Sequence, residues 1–230
     1  AKSNKDIIPY EPTDPENPTD PEDPKIPDKD EDDKPIDKKE YDIVSFKTES
    51  EQKGTLTKGK EANKPVISVL VKKGSKARTF GDVKPSTNPV EGYNFWYWDK
   101  DGDQTKTAVL DNAAVANGEI YTAYFIKSGD EVGPNDPDLP DNFVKVTYKA
   151  GTGVDKFADK TVAVEKGTKE DKLPGKPEVK IDGTVSTDVV WTADPAIDAQ
   201  KGILADTTLT VKAKSNKDII PYEPTDPENP

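Results

Sequence analysis

The sequence predicts a mainly β protein, a β-rich α+β fold, with two small modules separated by extended, proline-rich acidic linkers. Three observations support this: short runs of alternating apolar and polar residues, prolines at every third position near the start, and acidic charge concentrated outside the apolar runs. Of the 230 residues, 31% are hydrophobic and 34% are charged, and the formal net charge is −12. Because this apolar fraction is low for one core of this size, part of the chain is expected to remain unpacked.

Residues 1–39 are predicted to form an acidic spacer with periodic prolines. A polyproline II helix has three residues per turn, so prolines at every third position would stack on one of its faces. The segment holds 7 basic and 13 acidic residues, whose repulsion opposes collapse. We therefore expect a semi-rigid extended spacer, with a disordered acidic linker as the alternative. The periodic residues are Pro9, Pro12, Pro15, Pro18, Pro21, Pro24 and Pro27.

Residues 40–127 and 143–213 are the two predicted β-rich modules. Val144, Val146 and Tyr148 alternate with polar residues, as in a half-buried strand. Further strands are predicted around 44–46, 66–71, 120–126, 161–164 and 209–213, and short helical turns near 111–116 and 168–172.

The two modules look like distant copies of each other. Each has a strand followed by a similar motif, V-K-K-G-S-K at 71–76 and V-E-K-G-T-K at 164–169, and then a strand that contains Trp. Gly74 and Gly167 are expected to adopt a positive φ in the turn that follows the strand. Between the modules, residues 128–142 hold five acidic and no basic residues and are predicted to be a short linker.

The strongest signal is an exact repeat. Residues 1–18 and residues 213–230 both read AKSNKDIIPYEPTDPENP. Chance does not produce 18 identities, so the parent protein is expected to carry near-identical units about 212 residues apart, in a modular array. Residues 214–230 are accordingly predicted to begin the next spacer. Since the chain has no Met, it is expected to be a piece of a longer protein.

One family resemblance rests on G-Y-N-F-W-Y-W at 92–98, on N-G-E-I-Y-T-A-Y-F at 117–125, and on the preceding Lys73-Gly74. These segments resemble the internalin B-repeat (Listeria–Bacteroides repeat), whose pattern is G-Y-x-F-x-G-W followed by a closing strand of type L-Y-A-x-W. Tyr97 replaces the family Gly, and Phe125 replaces the final Trp. The second module keeps only Lys166-Gly167, Trp191 and the last strand. The resemblance implies β-grasp-like modules in an array on a Gram-positive, cell-wall-anchored surface protein.

Composition excludes several classes of function. Without Cys and His there is no thiol nucleophile, no Ser-His pair and no zinc site of the usual type, so we expect no enzyme activity. The negative charge disfavours nucleic-acid binding through phosphates. No apolar run reaches the roughly 18–20 residues that span a membrane, so no membrane insertion is expected.

Two candidate sites lie on or beside the aromatic strand. Tyr93, Trp96 and Trp98 are candidates for binding a glycan or a protein partner, since strand alternation would place Trp96 and Trp98 on one face. The alternative is that these aromatic residues form core. Asp99, Asp101 and Asp103 begin like a calcium loop. Its later positions hold Gln104 and Leu110 instead of Gly and Glu, so an Asp-Gly hairpin turn is favoured over a weak Ca²⁺ site, and no other cofactor is expected.

Together these features predict the stalk region of a bacterial cell-surface adhesin, extracellular and on the cell wall, which projects a distal binding domain. The stalk is expected to be monomeric within its tandem array. The alternative is a module that binds a host glycan or an extracellular-matrix protein through exposed aromatic residues.

Overall fold

A computed structural model describes residues 6–30, 33–101 and 107–213. Over these residues the protein is mainly β, which confirms the predicted fold class. The described residues divide into two compact units. Unit 1 comprises residues 6–127 together with Pro134–Pro140, and unit 2 comprises Ser128–Gly133 together with residues 141–213. The predicted start of a next spacer, residues 214–230, lies outside the described residues.

Unit 1 is built on a five-stranded sheet. Its elements are β1 (Ile7–Tyr10), β2 (Tyr41–Thr48), β3 (Gly54–Lys58), β4 (Glu61–Lys64), β5 (Val66–Lys72), α1 (Phe80–Val83), β6 (Ser86–Pro89), β7 (Asn94–Lys100) and β8 (Ile120–Ile126), with a 3₁₀ turn at Lys38–Glu40. The main sheet has the order β1-β5-β2-β8-β7, and β4-β3-β6 form a second small sheet. Only β2 and β8 are parallel among the neighbours in the main sheet.

Unit 2 repeats this arrangement with fewer strands. Its elements are β9 (Phe143–Ala150), β10 (Lys160–Glu165), β11 (Lys180–Ile181), β12 (Thr184–Val185), β13 (Val189–Asp194) and β14 (Thr207–Ala213), with a 3₁₀ turn at Glu170–Lys172. The main sheet has the order β10-β9-β14-β13, and β11 and β12 form a two-stranded ribbon. The central neighbours β9 and β14 are parallel.

Both units therefore share one topology. If the four common strands are numbered in chain order, each sheet reads 2-1-4-3 with a parallel central pair. A short helical element follows the second strand in both, and the third strand carries Trp in both. Gly74 and Gly167 have φ of 76° and 90°, which confirms the predicted turn geometry.

Alternation explains the core of unit 2. On β9, Val144, Val146 and Tyr148 are buried while the intervening residues are more exposed, as predicted. They pack with residues of β10 and β14, and the Tyr148 ring meets Trp191 edge-on at 5.5 Å. This small core depends on a few close contacts between large side chains.

Unit 1 buries side chains on both faces of β2 and β5. One face carries the aromatic cluster of Phe46, Phe80, Trp98 and Tyr121. The Phe46 ring lies 5.6 Å from Trp98 and 5.5 Å from Tyr121. The other face carries a smaller cluster, contributed by β1, β2, β5 and Ile26. Because both faces of β5 are covered by other side chains, its sequence is a nearly continuous apolar run.

One of the two predicted helical turns is confirmed. Residues 168–172 contain the 3₁₀ turn, but residues 111–116 form a turn and an isolated bridge from Ala114 to Thr79. The short helix of unit 1 is α1 instead. Thr79 caps it, since Thr79 and Asp82 form a reciprocal capping box at its start.

The extended-spacer prediction is wrong for residues 7–26. Polyproline II has no internal hydrogen bonds, whereas here the amides of Asn17, Asp20, Asp23 and Ile26 each donate to the carbonyl three residues earlier. The period of three is a series of consecutive β-turns. Each turn begins with Asp or Asn and has Pro in second position, the residues that such turns prefer.

Residues 128–142, which were predicted to be a linker, are instead divided between the two units. Gly129 and Val132 donate backbone hydrogen bonds to Ala163 and Thr161, so this stretch lies along β10 of unit 2. Residues Pro134–Pro140 belong to unit 1. Across the described ranges, no helix has the length and apolar character to cross a membrane.

Candidate functional site

The aromatic strand β7 carries a β-bulge that reorders its side chains. Phe95 pairs with Phe125, but Tyr97 pairs with Tyr124, so one extra residue sits opposite the partner strand. Phe95 and Trp98 consequently pack together on the core side, with ring centroids 6.0 Å apart. The predicted alternation, with Trp96 and Trp98 on one face, is therefore wrong.

Trp98 is a core residue. It is 5% exposed and meets the rings of Phe46 and Phe80 edge-on. A side chain in this position cannot contact a ligand without opening unit 1. The structure therefore shows core packing for Trp98.

Trp96 and Tyr97 lie on the face of β7 opposite to Phe95 and Trp98. Trp96 is partly exposed, and its indole Nε1–H donates to the Asp138 carbonyl at 2.9 Å. Tyr97 is buried and stacks on Tyr124 at 4.9 Å. Burial, with Tyr124 and Asp99 nearby, raises the pKa of Tyr97 well above its ordinary value. The short segment Pro134–Pro140 thus anchors Trp96, which leaves part of that ring accessible.

Tyr93 is half-buried against the core of unit 1. The ammonium groups of Lys53 and Lys127 lie 6.0 and 5.1 Å from its ring centroid. Such contacts suit a cation–π arrangement. Of the three predicted ligand-binding residues, only Tyr93 and Trp96 thus keep some access to solvent.

The described members of the predicted calcium loop, Asp99 and Asp101, are engaged in contacts within unit 1. Asp99 is buried, and Asp101 accepts from the Thr122 hydroxyl at 2.6 Å and pairs with the Lys47 ammonium at 2.5 Å. Asp103 lies outside the described residues. Within the described ranges, no group of three acidic side chains is placed to hold a cation. β7 and β8 pair antiparallel up to Lys100 opposite Tyr121, and Gly102 of the predicted Asp-Gly turn lies outside the described residues.

A different site, which the sequence did not predict, is formed where residues 6–18 pack against the rest of unit 1. We call residues 6–18 the repeat strand segment and the surface it covers the β5 seat. β1 pairs antiparallel with β5, from Ile7 opposite Val71 to Tyr10 opposite Ser68. Ile8 and Tyr10 are 7% and 3% exposed and point into the smaller cluster. Burial raises the pKa of Tyr10 to about 12.

The far end of the repeat strand segment is held by polar contacts. The Pro18 carbonyl accepts hydrogen bonds from the hydroxyls of Ser45 and Ser68, at 2.9 and 2.6 Å. Both serines are fully buried in the sheet. The two hydroxyl oxygens also lie 2.8 Å apart and can pair with each other, but one of their two protons then needs a further acceptor. Because a buried hydroxyl proton without an acceptor is costly, the seat favours a strand that presents a carbonyl at this point.

Two further contacts fix the segment between its ends. The Asp23 carboxylate accepts from the Thr13 amide and hydroxyl, at 2.7 and 2.8 Å. Glu11 pairs with the Lys64 ammonium at 2.7 Å. Burial of Asp23 opposes its ionisation, but hydrogen bonds from the amides of Lys25 and Thr13 and from the Thr13 hydroxyl outweigh it, so its pKa lies below the ordinary value.

Two features of the sequence could have indicated this site, namely its turns and its apolar residues. Asp-Pro and Asn-Pro steps at 14, 17, 20 and 23 fold the chain back, which brings Asp23 to Thr13 and Pro18 to the serines. Ile7, Ile8 and Tyr10 are apolar residues inside an otherwise acidic segment.

No protein-family model matches the chain, and neither a curated protein nor a solved structure matches it.

Proposed function

We propose that this chain is part of the stalk of a bacterial cell-surface adhesin, in which repeated β-grasp-like units project a distal binding domain from the cell wall. The observation that carries the proposal is the parallel pairing of the first and last core strands in each unit. An exact sequence repeat that brackets the two units supports an array.

Parallel terminal strands place the entry and exit of a unit at opposite ends of its sheet. In unit 2 the chain enters at Phe143 on β9 and leaves at Ala213 on β14, and Thr207–Val211 pair in register with Val146–Ala150. Tension between the two ends therefore runs along the strands. The inter-strand hydrogen bonds share this load and must break together, instead of opening one after another.

Unit 1 has the same geometry, extended by one strand. β1 is antiparallel to β5, β5 is antiparallel to β2, and β2 is parallel to β8, so β1, β2 and β8 all run in one direction. A pull on the start of β1 and the end of β8 again loads the strands lengthwise. Both units thus have the strand geometry that suits a load-bearing role.

Single-molecule force spectroscopy on unit 2 within the full chain tests this role. The protein has no Cys, so paired Cys substitutions define the points of attachment. Asp141→Cys with Lys212→Cys pulls β9 against β14 along the strands. Asp141→Cys with Ala205→Cys pulls on the same ends of both strands and opens the pair bond by bond. All three positions are exposed.

The lengthwise pair should need a rupture force several-fold higher than the same-end pair at equal loading rate. If the Asp141–Lys212 attachment ruptures at a force equal to or lower than that of the Asp141–Ala205 attachment, the strand geometry gives no support to a stalk. Far-ultraviolet circular dichroism of both variants serves as the control that the substitutions leave the sheet intact.

The alternative, binding of a host glycan or matrix protein, would have to rest on Tyr93 and Trp96, because Trp98 lies in the core. A glycan array probed with the full chain and with its Trp96→Ala variant distinguishes the stalk function from the ligand-binding function. Binding that is lost in the variant supports the ligand-binding function.

A further inference from the structure

The repeat strand segment occurs twice in the chain, but only its first copy lies among the described residues. Residues 6–18 are bound in the β5 seat, and residues 218–230 have the identical sequence. Ile220, Tyr222, Glu223, Thr225 and Pro230 therefore correspond to Ile8, Tyr10, Glu11, Thr13 and Pro18. Every side chain that the seat holds is present in the second copy.

The seat itself is built from residues outside the repeated sequence. β5 supplies the strand edge, Ser45 and Ser68 supply the two hydroxyls, and Asp23 supplies the carboxylate. None of these residues lies within 1–18 or 213–230. Seat and strand are thus separable parts, as in complexes where a partner peptide adds a strand to an exposed edge.

We propose that residues 218–230 of one molecule bind the β5 seat of a second copy of this chain, as a strand that replaces residues 6–18. The interaction joins copies head to tail, because the seat lies in unit 1 and the second copy of the strand follows unit 2 in sequence. Binding of the strand to the seat does not require a mechanical role of the units.

Selectivity comes from three contacts at fixed spacing. An Ile and a Tyr two residues apart enter the apolar cluster, as Ile8 and Tyr10 do. A Thr three residues after the Tyr reaches Asp23, and a carbonyl at the final Pro satisfies the two serine hydroxyls. A strand that lacks the last contact would leave the Ser45–Ser68 hydroxyl pair, whose oxygens lie 2.8 Å apart, with one buried proton that lacks this acceptor.

The first copy competes for the same seat from within the chain. A segment tethered this closely has an effective concentration on the order of millimolar. Intact chains at micromolar concentration are therefore expected to keep residues 6–18 in place, and binding of the second copy should emerge when the first is disabled.

The test uses full-length chains with charged residues in one or both copies. The first variant, Ile8→Lys with Tyr10→Lys, disables the first copy and keeps the second. The matched control adds Ile220→Lys and Tyr222→Lys. Hydrogen exchange of the amides of β5, thermal melting, and mass by light scattering are measured across a range of protein concentrations.

The first variant should exchange its β5 amides more slowly than the control, by about tenfold or more. Its mass or its melting temperature should rise with protein concentration. A higher melting temperature without concentration dependence means that the strand binds the seat of its own molecule. That outcome overturns head-to-tail joining while leaving the seat assigned.

A peptide of residues 218–230 covers the case in which both variants fail to fold around β5. Added in excess to the control variant, it should restore slow exchange in β5, whereas the same peptide with Ile220→Lys and Tyr222→Lys should not. The proposal is overturned if the two full-length variants behave alike and the peptide restores nothing.

Discussion

Replacing Trp98 by Ala should destabilise unit 1 far more than replacing Trp96 by Ala, although the two residues are two positions apart. Trp98 is 5% exposed and lies between the rings of Phe46, Phe80 and Phe95, at 5.6 to 6.0 Å. Truncating a buried Trp costs about 3–5 kcal/mol. Trp96→Ala removes one solvent-exposed hydrogen bond to a carbonyl, an edge-on contact with the Tyr97 ring at 5.1 Å and partial burial, together about 1–2 kcal/mol.

Urea unfolding of the full chain, read by hydrogen exchange of β2 and β8 amides, measures the free energy of unfolding of unit 1 for each variant. Trp98→Ala should lower it by at least about 2 kcal/mol more than Trp96→Ala, a large share of the roughly 5–15 kcal/mol typical of a domain. Amides of β9 in unit 2 provide an internal reference. Equal losses for the two variants, or a larger loss for Trp96→Ala, would refute the bulge-based assignment of the faces.

Three further predictions concern other contacts. Gly54→Ala should destabilise unit 1 by about 1–3 kcal/mol in urea unfolding, because a methyl group there would overlap the Phe125 ring, whereas Thr55→Ala serves as the tolerated control. The folded-state pKa of Asp23 lies below its unfolded value, so the stability it gives is present above about pH 4 and is lost as the pH falls through the folded pKa. The protection factors of the β5 amides, which correct for the slower intrinsic exchange of amides in acid, should therefore fall as the pH is lowered. Asp23→Ala should weaken that acid dependence, and an unchanged dependence would contradict the assignment. Burial raises the pKa of Tyr148 to about 12, so unit 2 should lose stability above about pH 10, where the unfolded phenol ionises first. Tyr148→Phe, which cannot ionise, should flatten this alkaline loss in thermal melts, although at neutral pH it forfeits the hydrogen bond to Pro174.

The spacing of apolar residues and the backbone preferences of turn residues made much of the two main sheets predictable. The alternation at Val144, Val146 and Tyr148 led to β9, and the apolar runs at 66–71 and 120–126 led to β5 and β8. The positive φ of Gly74 followed from its place after a strand. These features depend on local periodicity and on residues with strong backbone preferences, which a single sequence displays directly.

The candidate sites were less predictable, because they depend on long-range pairing. A bulge is invisible in the order F-W-Y-W, yet it decides that Phe95 and Trp98 share a face. The prolines at every third position fit two structures with the same period. The Asp and Asn before them favour turns, and only the burial of Ile8 and Tyr10 against β5 shows that this segment is part of unit 1.

The pairing of β1 with β5 has a consequence for aggregation. Residues 66–71 read V-I-S-V-L-V, an uncharged run with no proline and high β propensity, which is the kind of segment that stacks between molecules when its edge is open. β2 covers one edge of β5 and β1 covers the other. β1 is only four residues long, and Pro9 offers no N–H to a further strand, so the outermost edge is a poor template. Where many such units stand side by side, this short strand would keep neighbouring sheets from fusing.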